Sequence, residues 1–131
     1  MKYLLDTNIC IYLINERPQR VLARFRQHAV GEIGVSTVTV SELAWGVAKT
    51  GSPRNRAALE AFLLPLEIAP YDLAAAMRYG DVRADLAKSG RPIGPLDTMI
   101  AAHALSLGAT LVSNNLREFE RVRDLAVENW V

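Results

Sequence analysis

Met1 to Asn8 reads MKYLLDTN, a short apolar run that stops at a carboxylate. Tyr3, Leu4 and Leu5 have the character of a buried strand, and Asp6 stands where that strand ends. Thr7 and Asn8, both helix-capping residues, follow, and then an apolar run begins at Ile9. In open α/β sheets, ligand chemistry collects beyond the carboxyl ends of parallel strands. One acid there proves little, so the question is whether other acids arrive at the same edge as Asp6.

The totals set the frame. A chain of 131 residues is most simply one domain, 1–131, with room for a full core but not for two. Half the residues are hydrophobic and 22% are charged, a globular balance that argues against disorder. The net charge of +1 excludes nucleic-acid binding by bulk attraction, leaving local arginine clusters as the only electrostatic route to it. Cys10 is the sole cysteine, so no internal disulfide forms, and its apolar run reads as a buried position. No signal peptide is visible, and no stretch approaches the roughly 18 apolar residues of a membrane span. The expectation is a soluble, cytoplasmic protein without membrane contact.

Outward from Asp6, strand and helix signals alternate. A first helix runs from Ile9 to near Asn15 and is broken by Arg17 and Pro18. The next carries Val21, Leu22, Phe25 and Ala29 on one face, with Arg20, Arg24 and Gln27 on the other. Gly31 to Thr37 reads as strand two. Thr39 and Glu42 match a capping box at the head of the following helix. Gly51-Ser52-Pro53 is a turn, and Pro53 opens a helix bearing Leu59, Phe62 and Leu63. Leu66 to Ala69 is strand three. Asp72 opens a helix that stops at Ser89-Gly90. Pro95 starts the helix Leu96 to Leu107, ended by Gly108, and Ala109 to Val112 is strand four. A short helix holds Leu116, Phe119 and Val122, and Ala126 to Val131 supplies a terminal strand. This alternation predicts a parallel sheet with helices on both faces.

Three of the 14 acids are placed differently from the rest. Asp6 ends strand one, and Glu42 lies in the first turn after strand two, so both reach the carboxyl edge. Asp97 lies in the first turn of the helix before strand four. Simple connectivity puts that helix start at the opposite edge, unless the preceding helix and the rigid Arg91–Pro95 loop carry the chain back. Three clustered carboxylates repel and raise a pKa unless a cation compensates. Mg²⁺ or Mn²⁺, hard ions that take oxygen ligands, fit such a cluster. Against this, acids in first helical turns complement the helix dipole without any metal. Spacing leaves both readings open.

The stretches MKYLLDTNICIYLI, VSTVTVSELAWGV, RADLAKSGRPIGPLDTMIAAHA and LVSNNLREFERV, in this order, resemble the PIN-domain ribonucleases, and within them the VapC toxin subunits of bacterial VapBC toxin–antitoxin pairs. The likeness runs almost end to end. It implies a three-layer α/β/α sandwich around a parallel sheet of about five strands. It also implies that Asp97 stands beside Asp6, with Asp6, Glu42 and Asp97 as ligands of Mg²⁺ or Mn²⁺. Ser113 matches a small hydroxyl residue near the site. The family often has a fourth acid two residues later; here that position is Asn115, which puts tight binding of a second ion in doubt. Thr7 and Asn8 are expected to support Asp6 by hydrogen bonds.

The implied activity is metal-dependent endonucleolytic cleavage of structured RNA, often a tRNA anticodon loop, with water as nucleophile and 5′-phosphate and 3′-hydroxyl products. Arg17, Arg20, Arg24, Arg91 and Arg117 are candidates for backbone contact. The implied partners are a VapB-type antitoxin, a second copy of the chain, and promoter DNA only through the antitoxin. Two other readings remain: an inactive PIN-fold binding module, favoured by Asn115, and a structure-specific DNA nuclease, for which 131 residues leave little room. His103 reads as a packed histidine, His28 as surface, and Trp45 and Tyr12 as helix-packing or partner residues that can also stack a base.

Overall fold

The computed structural model describes residues 1–29 and 31–131. Its elements are β1 (Tyr3–Leu5), α1 (Thr7–Ile14), α2 (Gln19–Arg26), β2 (Ile33–Ser36), α3 (Thr37–Thr50), α4 (Pro53–Leu63), β3 (Glu67–Ala69), α5 (Leu73–Lys88), α6 (Pro95–Leu107), β4 (Thr110–Val112), α7 (Leu116–Phe119) and β5 (Val127–Glu128). The strands form one sheet in the order β3-β2-β1-β4-β5, and every pairing is parallel. β1 is therefore the central strand, flanked by β2 and β4.

Residues alternate between the two faces of this sheet, and each face has its own core. Leu4 and Leu111 point to one side, where Val82, Leu86, Ile100, Ala101 and Phe119 from α5, α6 and α7 cover them. Leu5 and Val112 point to the other, where Ile9, Leu13, Val21, Leu43 and Leu59 from α1 to α4 cover them. Three layers result, as the strand–helix alternation predicts. Gly34 lets β2 lie close to its neighbours: a Cβ there would stand 2.7 Å from the Glu67 carbonyl oxygen and 2.5 Å from the Met1 sulfur.

Several boundaries follow their sequence signals. Asp72 caps α5 by accepting the Ala75 N–H, Pro95 occupies the first turn of α6, and Gly108 ends α6 in the left-handed region. Cys10 is buried and unpaired. Among the described residues, no helix is long and apolar enough to cross a membrane.

Four expectations are corrected. Asp6 itself, not Thr7 or Asn8, caps α1, because its carboxylate accepts the Ile9 N–H at 3.0 Å. The Thr39–Glu42 capping box does not form. β2 passes into α3 without a loop, and Ser36 at the strand end caps the helix through the Val38 N–H, leaving Glu42 in the second turn. The direction of α6 is the third. Only Gly108 and Ala109 separate α6 from β4, so α6 must run antiparallel to β4 and begin at the carboxyl edge. Asp97 therefore starts on the Asp6 side, and α5 with the Arg91–Pro95 loop, following the carboxyl end of β3, returns the chain to that edge. Finally, His28 is not a surface residue: its ring stacks on Trp130 with centroids 5.3 Å apart and packs against Tyr3 at 4.5 Å.

Candidate active site

Four elements deliver side chains to the carboxyl edge of the central strands. Asp6 follows β1 and is 6% exposed. Its Oδ1 accepts the Ile9 N–H, and its Oδ2 accepts the Ser113 hydroxyl at 2.5 Å. Ser113 follows β4 and is fully buried, so this short contact is the tie between two adjacent strand ends. Burial pushes the Asp6 carboxyl above its ordinary range, and the Glu42 charge adds to the rise. The Ser113, Ile9 and Asn8 hydrogen bonds pull the other way without cancelling it.

Glu42, in α3, accepts the Thr7 hydroxyl at 2.7 Å on Oε1. Thr7 thus serves the site through Glu42 and not through Asp6, while Asn8 acts on Asp6 through its backbone. Asp97, in the first turn of α6, is half-buried, and its carboxyl is pushed up to about 6. Burial is the main cause, followed by the charges of Glu118, Asp6 and Glu42. Three of the acids named from the sequence are therefore mutual electrostatic neighbours.

The fourth acid, Glu118, was not anticipated. It sits in the first turn of α7, close enough for its charge to raise the Asp97 carboxyl. The Asn115 amide donates to Glu118 Oε2 at 2.9 Å, and the Asn115 backbone N–H donates to Ser113 Oγ at 2.9 Å. Asn115 therefore occupies the place where a carboxylate was sought and aims a carboxylate from three residues further on. Glu118 is an acid in a first helical turn, the feature that singled out Asp97, so the signal was present in the sequence.

The donor set suits a hard divalent cation. It consists of carboxylate oxygens whose mutual repulsion is unrelieved: among the described residues, no Lys, Arg, His or amino terminus makes an ion pair with any of the four. No three of these side chains stand at distances that would hold an ion as they are, again among the described residues.

The other candidates scatter. Arg17, Arg20, Arg91 and Arg117 are exposed. The Arg24 guanidinium is bound to Glu128 at 2.6 Å and lies over the Trp130 ring. Tyr12 accepts a hydrogen bond from the Asn114 amide at 3.0 Å. Trp45 does not pack between helices: it is 66% exposed, one turn beyond Glu42.

Comparison with known proteins identifies the family and the fold. The PIN domain family model matches residues 3–125. The chain is 52% identical to "Ribonuclease VapC2" of Haemophilus influenzae, covering 100% of this chain and 99% of that protein. It is 47% identical to the "tRNA(fMet)-specific endonuclease VapC" of Shigella flexneri, covering 99% and 98%. The toxin fold in the crystal structure of DNA-bound VapBC from Salmonella typhimurium superposes with a TM-score of 0.94 at 43% identity, over 100% of this chain and 99% of that one. The corresponding structure of VapBC2 from Rickettsia felis, bound to a promoter DNA fragment, gives 0.90 at 38% identity, with full coverage of both. With its three-layer sheet and carboxylate-lined edge, the chain belongs to the PIN-domain family, in its VapC branch.

Proposed function

We propose that the chain is a divalent-cation-dependent endoribonuclease and the toxin half of a toxin–antitoxin pair. The observation that carries this reading is the convergence of Asp6, Glu42, Asp97 and Glu118 on one sheet edge with no cationic side chain paired to them among the described residues.

Asp6, Glu42 and Asp97 would hold Mg²⁺ or Mn²⁺, with Glu118 on the Asp97 side. When bound, such an ion supplies positive charge against phosphate oxygens and acidifies water, the nucleophile for in-line displacement. The protein's own contribution is aim. Ser113 orients Asp6, Thr7 orients Glu42 and Asn115 orients Glu118, each by one hydrogen bond between 2.5 and 2.9 Å. These supports keep each carboxylate in one rotamer, which lowers the cost of organising a charged site. Below about pH 6 a bound ion would compete with the proton for the Asp97 oxygens, so Asp97 would hold the ion in its ionised form.

The names of the relatives point to RNA, and that of the Shigella protein to a tRNA. Single-stranded loops are where proteins read RNA sequence, so a tRNA loop is the substrate we assign, with 5′-phosphate and 3′-hydroxyl products. Arg17, Arg20, Arg91 and Arg117 are exposed and free to meet backbone phosphates. Arg24 serves only if it leaves Glu128. The partner is a VapB-type antitoxin, in line with the Salmonella and Rickettsia complexes, and promoter DNA is met through that partner. A homodimer completes the assembly.

The test is cleavage of a total tRNA pool with 5′-end mapping, in Mg²⁺ and in chelator, for the wild type and Asp6→Asn. The wild type should cut in Mg²⁺ only. Asp6→Asn should retain the α1 cap, since Asn caps as well as Asp, and lose cleavage. Undiminished cutting by a pure preparation of that variant rules the site assignment out.

A further inference from the structure

We propose that His103 is a positioning residue that fixes the separation of Glu42 and Asp97. The inference rests on those two acids holding an ion together.

His103 lies in α6, six residues beyond Asp97, and Ser36 lies six residues before Glu42. The ring is 1% exposed, and its Nδ1 is 2.9 Å from Ser36 Oγ. That same hydroxyl accepts the Val38 N–H and so caps α3, the helix that carries Glu42. Ser36 is itself fully buried. One hydrogen bond thus joins the helix of Asp97 to the first turn of the helix of Glu42. Among the described residues it is the only side-chain hydrogen bond from α6 that leaves its own neighbourhood. The others, Thr98 to the Gly94 carbonyl and Ser106 to the His103 carbonyl, are local.

The acids need such a tie. Glu42, in the second turn of α3, and Asp97, in the first turn of α6, bear like charges, and their repulsion pushes the two helices apart. Apolar packing between α3 and α6 has no directional preference, so it permits sliding. A hydrogen bond in a dry interior is directional and is strengthened by the low local dielectric. The groups around the ring agree with a neutral, fixed imidazole. The Tyr71 ring meets it edge-on at 5.5 Å. The Asp72 carboxylate and the Pro70 carbonyl favour protonation, but burial outweighs both. Among the described residues Nε2 is buried without a hydrogen-bond partner, so the one side-chain anchor found for the ring there is Ser36.

The test uses three full-length variants and two readouts. His103→Leu keeps the volume and loses the bond. His103→Asn sets an amide group at the Nδ1 position and restores it. Ile100→Val trims the core in the same helix and leaves the tie alone. Mn²⁺ titration of the metal-free chain by calorimetry measures the site, and thermal melting measures the fold. His103→Leu should bind Mn²⁺ about tenfold more weakly, and His103→Asn within about twofold of wild type, on the scale seen for residues that orient metal ligands. Ile100→Val should lower the melting temperature and leave Mn²⁺ affinity unchanged. If His103→Leu does not fold, His103→Gln replaces it, since its amide stands at the Nε2 end and misses Ser36. Wild-type affinity in the variant lacking the bond overturns the inference alone. A wild-type chain that takes up no Mn²⁺ overturns the metal site as well.

Discussion

Asp6 and Asp72 make the same local structure and have different fates. Each precedes a helix, and each carboxylate accepts the backbone N–H three residues on, from Ile9 and Ala75, at 3.0 Å. Yet Asp6 is buried, while Asp72 is exposed. The difference lies in the strand each one follows. β1 is central, so the junctions after β2 and β4 flank Asp6 and bring Glu42 and Ser113 to it. β3 is an edge strand, paired on one side only. A cap is a local property of the chain; a site is a property of strand order.

Replacing each by Ala separates the two roles, with the largest effect expected at Asp6. Asp6→Ala removes the proposed ligand and a cap together. Cleavage should fall by about a thousandfold or more, on the scale of losing a preorganised charge-stabilising group. Initial rates on a tRNA substrate at saturating Mg²⁺ measure this. A variant cutting within tenfold of wild type would remove Asp6 from the chemistry and make it equivalent to Asp72.

Asp97 sharpens the contrast through pH. Its carboxyl holds a proton up to about 6 in the folded chain, against an ordinary value of 3.8. Between those values the native state binds a proton that the unfolded chain lacks. Stability from this group is therefore fully present below about 4 and is lost as pH rises through about 6. Metal-free protein should melt at a higher temperature at pH 5 than at pH 7, and Mg²⁺ should reverse the order because the ion competes with the proton. Asp97→Asn should abolish cleavage while stabilising the metal-free chain at pH 7 by about 1 kcal/mol, after allowance for solvent screening. Calorimetric melts in chelator at the two pH values decide it, and a flat response would show that the acids do not strain one another.

The parts of this molecule legible in its sequence are those set by neighbours in the chain. Pro95, Gly108 and Asp72 act within a turn of where they stand, and they mark α5 and α6 correctly. The alternation of strands and helices set the layers for the same reason. What escaped was decided across long separations. Glu42 matches a capping box by spacing, but its partner is Thr7, 35 residues away, and Ser36 had already taken the cap. Arg24 looks like a free surface cation until Glu128 is seen to close on it from 104 residues away. The edge that Asp97 occupies was recoverable, since the short link from Gly108 to β4 dictates the direction of α6. Glu118 takes its place through Asn115, whose amide aims an acid from three residues further on, and a pattern that requires an acid at position 115 itself does not contain that relation.

Glu118 is the next smaller lever. Glu118→Gln keeps an acceptor for the Asn115 amide and removes one charge beside Asp97. The Asp97 carboxyl should then move back toward 3.8, readable from its side-chain carbon resonance in a pH titration. Mg²⁺ should bind about tenfold more weakly, as expected for a contributor outside the main ligand set. An unchanged Asp97 titration would show that Glu118 does not contribute and that burial with the Asp6 and Glu42 charges sets its proton affinity.

The smallest functional effect should come from Asp72, and that is what makes it a control for Asp6. Asp72→Ala leaves the Ala75 N–H without its side-chain acceptor. Loss of such a cap costs about 1 kcal/mol. The cost falls on the head of α5, which is open to solvent, so water takes over part of the bond. Among the described residues no strand lies beyond β3 to bring a second acid there, so no proposed ligand is lost with the cap. Urea unfolding should show the stability decrement with an unchanged slope, and the cleavage rate per folded molecule should match wild type. A variant that keeps its stability and loses cleavage would place the β3 edge inside the active site, and strand order would then no longer explain why one capping aspartate is chemical and the other is not.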